Sequence, residues 1–81
     1  MNDQNIFQIE VKCYSGYKGE ETPRSIRSNN KEILVNKILD MWLAPDHRYF
    51  KCLGSDNEVY IIRYDGKKCI WELTFYSESN Q

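Results

Sequence analysis

The sequence has little of what most enzymes and membrane proteins need. Its 81 residues hold one histidine, two prolines and four glycines. No hydrophobic run approaches the roughly 20 residues of a membrane helix. No basic segment leads into an apolar run near Met1, so the expectation is a cytoplasmic protein without secretory signal or membrane span. Charge of one sign is also missing. Eleven Lys and Arg against twelve Asp and Glu leave a formal charge of -1, too little to gather a phosphate backbone or an anionic membrane over the whole surface. Three cysteines, Cys13, Cys52 and Cys69, are an odd number without the tight spacing of a disulfide scaffold. They are expected as reduced thiols within a core.

What is present is aromatic and β-forming. Aromatic residues make up 14% of the chain, which lets a small domain build a core from few positions. Phe7, Ile9, Val11 and Cys13 alternate with Gln8, Glu10 and Lys12, the pattern of a half-buried strand. Residues 15–23 carry two Gly, one Pro and three charges and are expected as an exposed loop. A turn at Asn29-Asn30 would set Ile26 opposite Ile33 and Arg27 opposite Glu32, and Asn tolerates the positive φ of such a turn.

Residues 33–43 admit two readings. At 100° per residue Leu34, Val35, Ile38, Leu39, Met41 and Trp42 share one side, a short amphipathic helix ended by Pro45. Read instead as a strand, the segment needs a bulge at Asn36-Lys37 to bring Ile38 and Trp42 onto the face of Ile33 and Val35.

The C-terminal third predicts a three-stranded meander over 48–53, 58–65 and 69–76, with turns at 54–57 and 65–68. Strand parity puts Tyr60, Ile62 and Tyr64 on one face with Cys69, Trp71, Leu73 and Phe75. A first turn with an odd number of residues, such as Ser55–Asn57 with a bulge, adds Phe50 and Cys52 to it. The reverse face then carries Tyr49, Lys51, Val59, Ile61, Arg63, Ile70, Glu72 and Tyr76. The chain therefore predicts one mainly β domain over 1–81, ordered over about 6–76. Its form is a small antiparallel SH3-like or OB-like barrel, or a curled sheet of five to six strands; the alternative is α+β with a helix at 33–43.

Chemistry is sparse. His47 is the side chain that titrates near neutral pH, and Asp46 beside it would need turn geometry to orient its ring. No nucleophile elbow, P-loop, H-E-x-x-H or dinucleotide fingerprint accompanies the pair, so no catalytic residue, cofactor or enzyme activity is expected. Cys13, Cys52, Cys69 and His47 match a zinc set in number but lack the close ligand pairs of structural zinc sites, so no metal is expected either. The expected function is binding of a macromolecule. Candidate contacts are Tyr17, Lys18, Arg24, Arg48, Tyr49, Lys51 and Arg63. A protein partner or self-association stands ahead of nucleic acid because the net charge is not basic; the alternative is single-stranded nucleic acid on a local aromatic and basic patch.

A resemblance covers roughly residues 9–75. Cys13-Tyr14-Ser15-Gly16-Tyr17-Lys18, Pro23-Arg24, Leu39-Asp40-Met41-Trp42, Pro45-Asp46-His47-Arg48-Tyr49-Phe50-Lys51, Tyr60-Ile61-Ile62-Arg63 and Trp71-Glu72-Leu73 resemble a family of short uncharacterised prokaryotic cytoplasmic proteins. The spacing of a Trp, a Tyr-Phe strand, an acidic turn and a final Trp-x-Leu is more faintly similar to a small domain found beside translesion DNA polymerases in some bacteria. The resemblance implies the all-β reading of 33–43 and brings no catalytic residues with it.

Overall fold

Turn chemistry and alternation divide the chain into six strands. A computed structural model describes residues 6–14 and 22–77. The strands are β1 (Phe7–Cys13), β2 (Pro23–Ser28), β3 (Lys31–Ala44), β4 (His47–Gly54), β5 (Val59–Asp65) and β6 (Ile70–Ser77). Each pairs antiparallel with the next, and β1 returns to β6 through Phe7 opposite Leu73 and Ile9 opposite Trp71. The result is a small closed barrel in which consecutive strands are neighbours all the way round. The described residues contain no helix.

Three turns set the registers. Asn29 and Asn30 both have positive φ, 52° and 66°, as a type I′ hairpin requires, and Ile26 faces Ile33 while Arg27 faces Glu32. The β4–β5 turn holds three residues, Ser55, Asp56 and Asn57. The Asn57 N–H donates to the Gly54 carbonyl at 2.9 Å and the Gly54 N–H to the Glu58 carbonyl at 2.9 Å, with Asn57 at φ 67°. That odd count brings Phe50 and Cys52 inward opposite Ile62 and Tyr60. The β5–β6 turn runs over Gly66–Cys69, two residues longer than a tight turn, and the Cys69 N–H donates to the Asp65 carbonyl at 2.8 Å. Cys69 is therefore exposed in a turn at φ 57° and not on the inner face of a strand.

β3 is a strand throughout, so the helix reading of 33–43 falls. Its register slips once between Val35 and Lys37 and again between Ile38 and Asp40. These bulges leave Ile33, Val35, Ile38, Met41 and Leu43 on the barrel side, with Ile38 opposite Cys52 and Met41 opposite Phe50. Spacings of two, three, three and two imitate a helical repeat, which is why periodicity alone pointed to a helix. The first bulge falls where the strand reading needed it. The second turns Trp42 outward, opposite Tyr49, correcting its expected place on the inner face.

A bulge in β6 makes a matching correction. Ile62 pairs Leu73 but Ile61 pairs Phe75, and the extra residue, Thr74, donates its hydroxyl to the Ile61 carbonyl at 3.0 Å. Beyond it Tyr76 lies inward opposite Tyr60, ring centroids 5.1 Å apart, and Phe75 lies outward.

The core is small: Ile9, Ile26, Ile33, Phe50, Cys52, Tyr60 and Ile62, with Val11, Val35, Ile38, Trp71 and Leu73 packed against it. Fully burying one such aliphatic or aromatic side chain contributes about 1.5–3 kcal/mol. Gly54 is buried because nothing larger fits; an added Cβ would meet Ile33 Cγ2 at 2.8 Å and Tyr60 Cε1 at 2.9 Å. Of the three thiols only Cys52 belongs to the core, where burial pushes its pKa up to about 12 and keeps it inert.

Candidate functional site

The seven candidate contact residues do not form one patch. Tyr17 and Lys18 lie outside the described residues. Arg24 is exposed on β2, its guanidinium carbon 5.8 Å from the centre of the Tyr14 ring. Arg48 pairs Leu43 and Tyr64 on the barrel side of β4. Tyr49, Lys51 and Arg63 lie together on the outer face, where Tyr49 faces Arg63 and Lys51 faces Asp40 and Ile61.

Around Tyr49 and Arg63 the sheet builds a ladder. Trp42 lies flat on Tyr49 with centroids 5.3 Å apart and planes 5° from parallel. Arg63 reaches over the other strand: its Nη1 donates to the Tyr49 hydroxyl at 3.2 Å, and its Nε donates to Glu72 Oε1 at 2.7 Å. The Arg63–Glu72 pair is well shielded, 20% and 12% exposed, so the guanidinium is already neutralised and oriented. Its pKa is raised by the bonds to Tyr49 and Glu72, against an opposing desolvation cost.

His47 and its neighbour Asp46 take different partners. Asp46 faces Lys67, Oδ2 to Nζ 3.8 Å, while His47 sits opposite Asp65 on β5, Nε2 to Oδ2 3.3 Å. Asp65 is buried, and its carboxyl is held below the ordinary range by the backbone N–H groups of Lys68 and Lys67, with His47 adding to the effect. The cysteines stand apart from this cluster: Cys52 in the core, Cys69 in the β5–β6 turn, Cys13 at the end of β1.

The larger surface feature is one the contact residues missed. Among the described residues ten large hydrophobic side chains are exposed, more than the seven of the buried core. Four of them, Leu39, Met41, Trp42 and Leu43, fall in the second half of β3, with Leu43 74% exposed. β2 pairs β3 only as far as Leu34, and among the described residues no other strand takes the side of β3 away from β4 beyond that point. The Met41 N–H is occupied instead by the neighbouring Asp40 Oδ1 at 2.8 Å. β3 thus ends in an apolar, incompletely paired arm, and its sequence signal was the Met41-Trp42-Leu43 run, of which the helix reading had placed Met41 and Trp42, and the strand reading Trp42, on the inner face.

A separate groove of about 940 Å³ opens between β1, the β2–β3 turn and the end of β6, lined by Phe7, Ile9, Arg27, Lys31, Tyr60 and Tyr76 among others. None of the described candidate contact residues, Arg24, Arg48, Tyr49, Lys51 and Arg63, lines it. Compared with known proteins, the chain matches no family model, no curated protein and no solved structure.

Proposed function

We propose that the barrel is a non-enzymatic interaction module that takes an extended segment of a protein partner along the second half of β3. The supporting observation is the exposure of Leu39, Met41, Trp42 and Leu43 on the stretch of β3 that β2 leaves unpaired. An edge of this kind offers main-chain hydrogen bonds, and alternate side chains provide selectivity. Asp40 on the Met41 N–H blunts the edge against indiscriminate pairing. The partner segment is therefore expected to be extended, with apolar residues at alternate positions.

Single-stranded nucleic acid is disfavoured on charge. The outer ladder has the aromatic surface for stacking, but Arg63 is committed to Glu72 and Tyr49, and Arg48 and Lys51 point to opposite faces of β4. SH3-like use of the barrel and a cytoplasmic setting belong to the same proposal. So does the resemblance to a small domain beside translesion DNA polymerases, which would supply a protein neighbour of the kind this surface takes.

The test is selection of displayed random peptides on the wild-type protein and on Leu43→Glu. Alternating apolar peptides should be enriched on the wild type and bind the variant at least about tenfold more weakly, a loss of roughly 1.4 kcal/mol. No enrichment, or equal binding to both proteins, would overturn the proposal.

A further inference from the structure

The main chain of the β3 arm has a definite direction. One step beyond the Leu53–Val59 pair, the Gly54 N–H donates to the Glu58 carbonyl at 2.9 Å, which makes these two a hydrogen-bonded pair of the β4–β5 ladder. β4 runs through that ladder without a register shift. Phe50 and Arg48 therefore turn their N–H and C=O groups to β5, and Lys51 and Tyr49 turn theirs to β3. Trp42, opposite Tyr49, bonds to β4, and its neighbours Met41 and Leu43 turn their main-chain groups to the free side of β3. The Met41 N–H, donating to Asp40 Oδ1 at 2.8 Å, agrees with this direction.

The arm is complementary to itself. Residues 40–44 follow the second bulge and alternate regularly, with Asp40, Trp42 and Ala44 outward and Met41 and Leu43 on the barrel side. A second copy laid antiparallel about a two-fold axis at Trp42 sets Met41 opposite its Leu43, and each such pair exchanges both main-chain bonds. Trp42 then meets Trp42 of the second copy in a non-hydrogen-bonded pair, where Cα atoms stand about 4.5 Å apart and aromatic pairs stabilise a sheet. The stack of Trp42 on Tyr49 would continue across both copies. Asp40 falls opposite Ala44, so no like charges oppose each other. Neighbouring registers fit less well. An axis at Met41 sets Leu43 against the bulge at Leu39, and an axis at Leu43 sets Met41 against Pro45, which has no N–H.

We propose that the segment received by β3 is the β3 arm of a second copy, the two arms pairing over Asp40–Ala44 about a two-fold axis at Trp42. The proposal rests on the reading of β3 as a docking edge and names its partner. On pairing, the Leu43 carbonyl of the second copy replaces Asp40 Oδ1 on the Met41 N–H. Covering Leu39, Met41, Trp42 and Leu43 on both copies removes on the order of 1,000 Å² from water, the low end of specific interfaces, so the dimer is weak and reversible.

Sedimentation velocity of the full chain should show monomer giving way to dimer between about 10 µM and 1 mM, the range of a small interface. Added salt should leave the association unchanged, and Leu43→Glu should weaken it at least about tenfold. Cross-linking reads the register. In a Cys13→Ser, Cys69→Ser background with oxidised glutathione as oxidant, Trp42→Cys should form a disulfide-linked dimer. Met41→Cys mixed with Leu43→Cys should link at least about tenfold faster than either variant alone, because only the mixture sets two thiols opposite each other. A chain that stays monomeric at about 1 mM would overturn the dimer. If that chain still selects alternating apolar peptides, the docking edge stands and only the second copy is excluded as its partner; if it selects none, both readings fall. A dimer undiminished in Leu43→Glu, or a mixture that links no faster than its components, would also overturn the proposal. If Leu43→Glu fails to fold, the cross-linking rates decide the question.

Discussion

Trp42 lies against Tyr49 with planes 5° apart because the second of two bulges in β3, just after Ile38, turns it out of the barrel. The same bulge sets Met41 and Leu43 on the barrel side but beyond the core, where they stay exposed, so one local irregularity accompanies both the aromatic ladder and the exposed apolar arm. Fold and proposed function meet at that point in the chain.

The Arg63–Glu72 pair should show energetic coupling. In a double-mutant cycle with Arg63→Met and Glu72→Gln, urea unfolding should give a coupling energy of about 1 kcal/mol, above that of an exposed pair because both side chains are shielded. Additive single losses would mean that the 2.7 Å contact contributes nothing.

Gly54→Ala should destabilise the barrel by about 1–3 kcal/mol, since the new methyl group would collide with Ile33 and Tyr60. The check is the shift in urea midpoint at unchanged slope. A neutral result would show that the β4–β5 turn moves away at little cost.

Cys69→Gly should stabilise the protein by about 0.5–1 kcal/mol, because Cys69 holds a left-handed conformation at φ 57° that glycine adopts without a Cβ penalty. The substitution also removes the exposed thiol. In the wild type Cys69 should react with a thiol reagent in the folded state, and Cys52, its pKa pushed up to about 12 by burial, only on unfolding.

Tyr60 should make the protein alkali-sensitive. Burial raises its pKa, and the Asp56 carboxylate that accepts its hydroxyl at 2.6 Å raises it further. A raised folded value means the contribution is fully present below the unfolded pKa of about 10 and is lost as pH climbs towards the folded value. Tyr60→Phe should therefore cost roughly 1–2 kcal/mol at pH 8. Between pH 8 and about 11 the gap between wild type and variant should shrink, as urea unfolding at each pH will show.

Much of the fold was legible in the residues. Asn29-Asn30 announced its turn and cross-strand pairs, and the odd count at Ser55–Asn57 followed from asking Phe50 and Cys52 to join Ile62. What escaped was the position of single-residue bulges. One at Thr74 exchanged Phe75 and Tyr76, and one at Leu39 sent Trp42 outward, because a bulge inverts every side chain beyond it while barely altering composition. The site was legible only in part for a related reason. Tyr49, Lys51 and Arg63 did share a face, but His47 found Asp65 across a strand pair rather than Asp46 beside it, a contact fixed by register and invisible to adjacency.

The central claim is that the second half of β3 receives a protein segment. The most direct measurement is an amide-resolved NMR titration of ¹⁵N-labelled protein, with the peptides recovered on the wild type in one arm and short single-stranded DNA and RNA in the other. The account predicts shifts confined to residues 38–44 and their β4 neighbours with peptide, insensitive to added salt, and none with oligonucleotide. Shifts centred on Tyr49, Lys51 and Arg63 that appear with oligonucleotide and vanish with salt would contradict it.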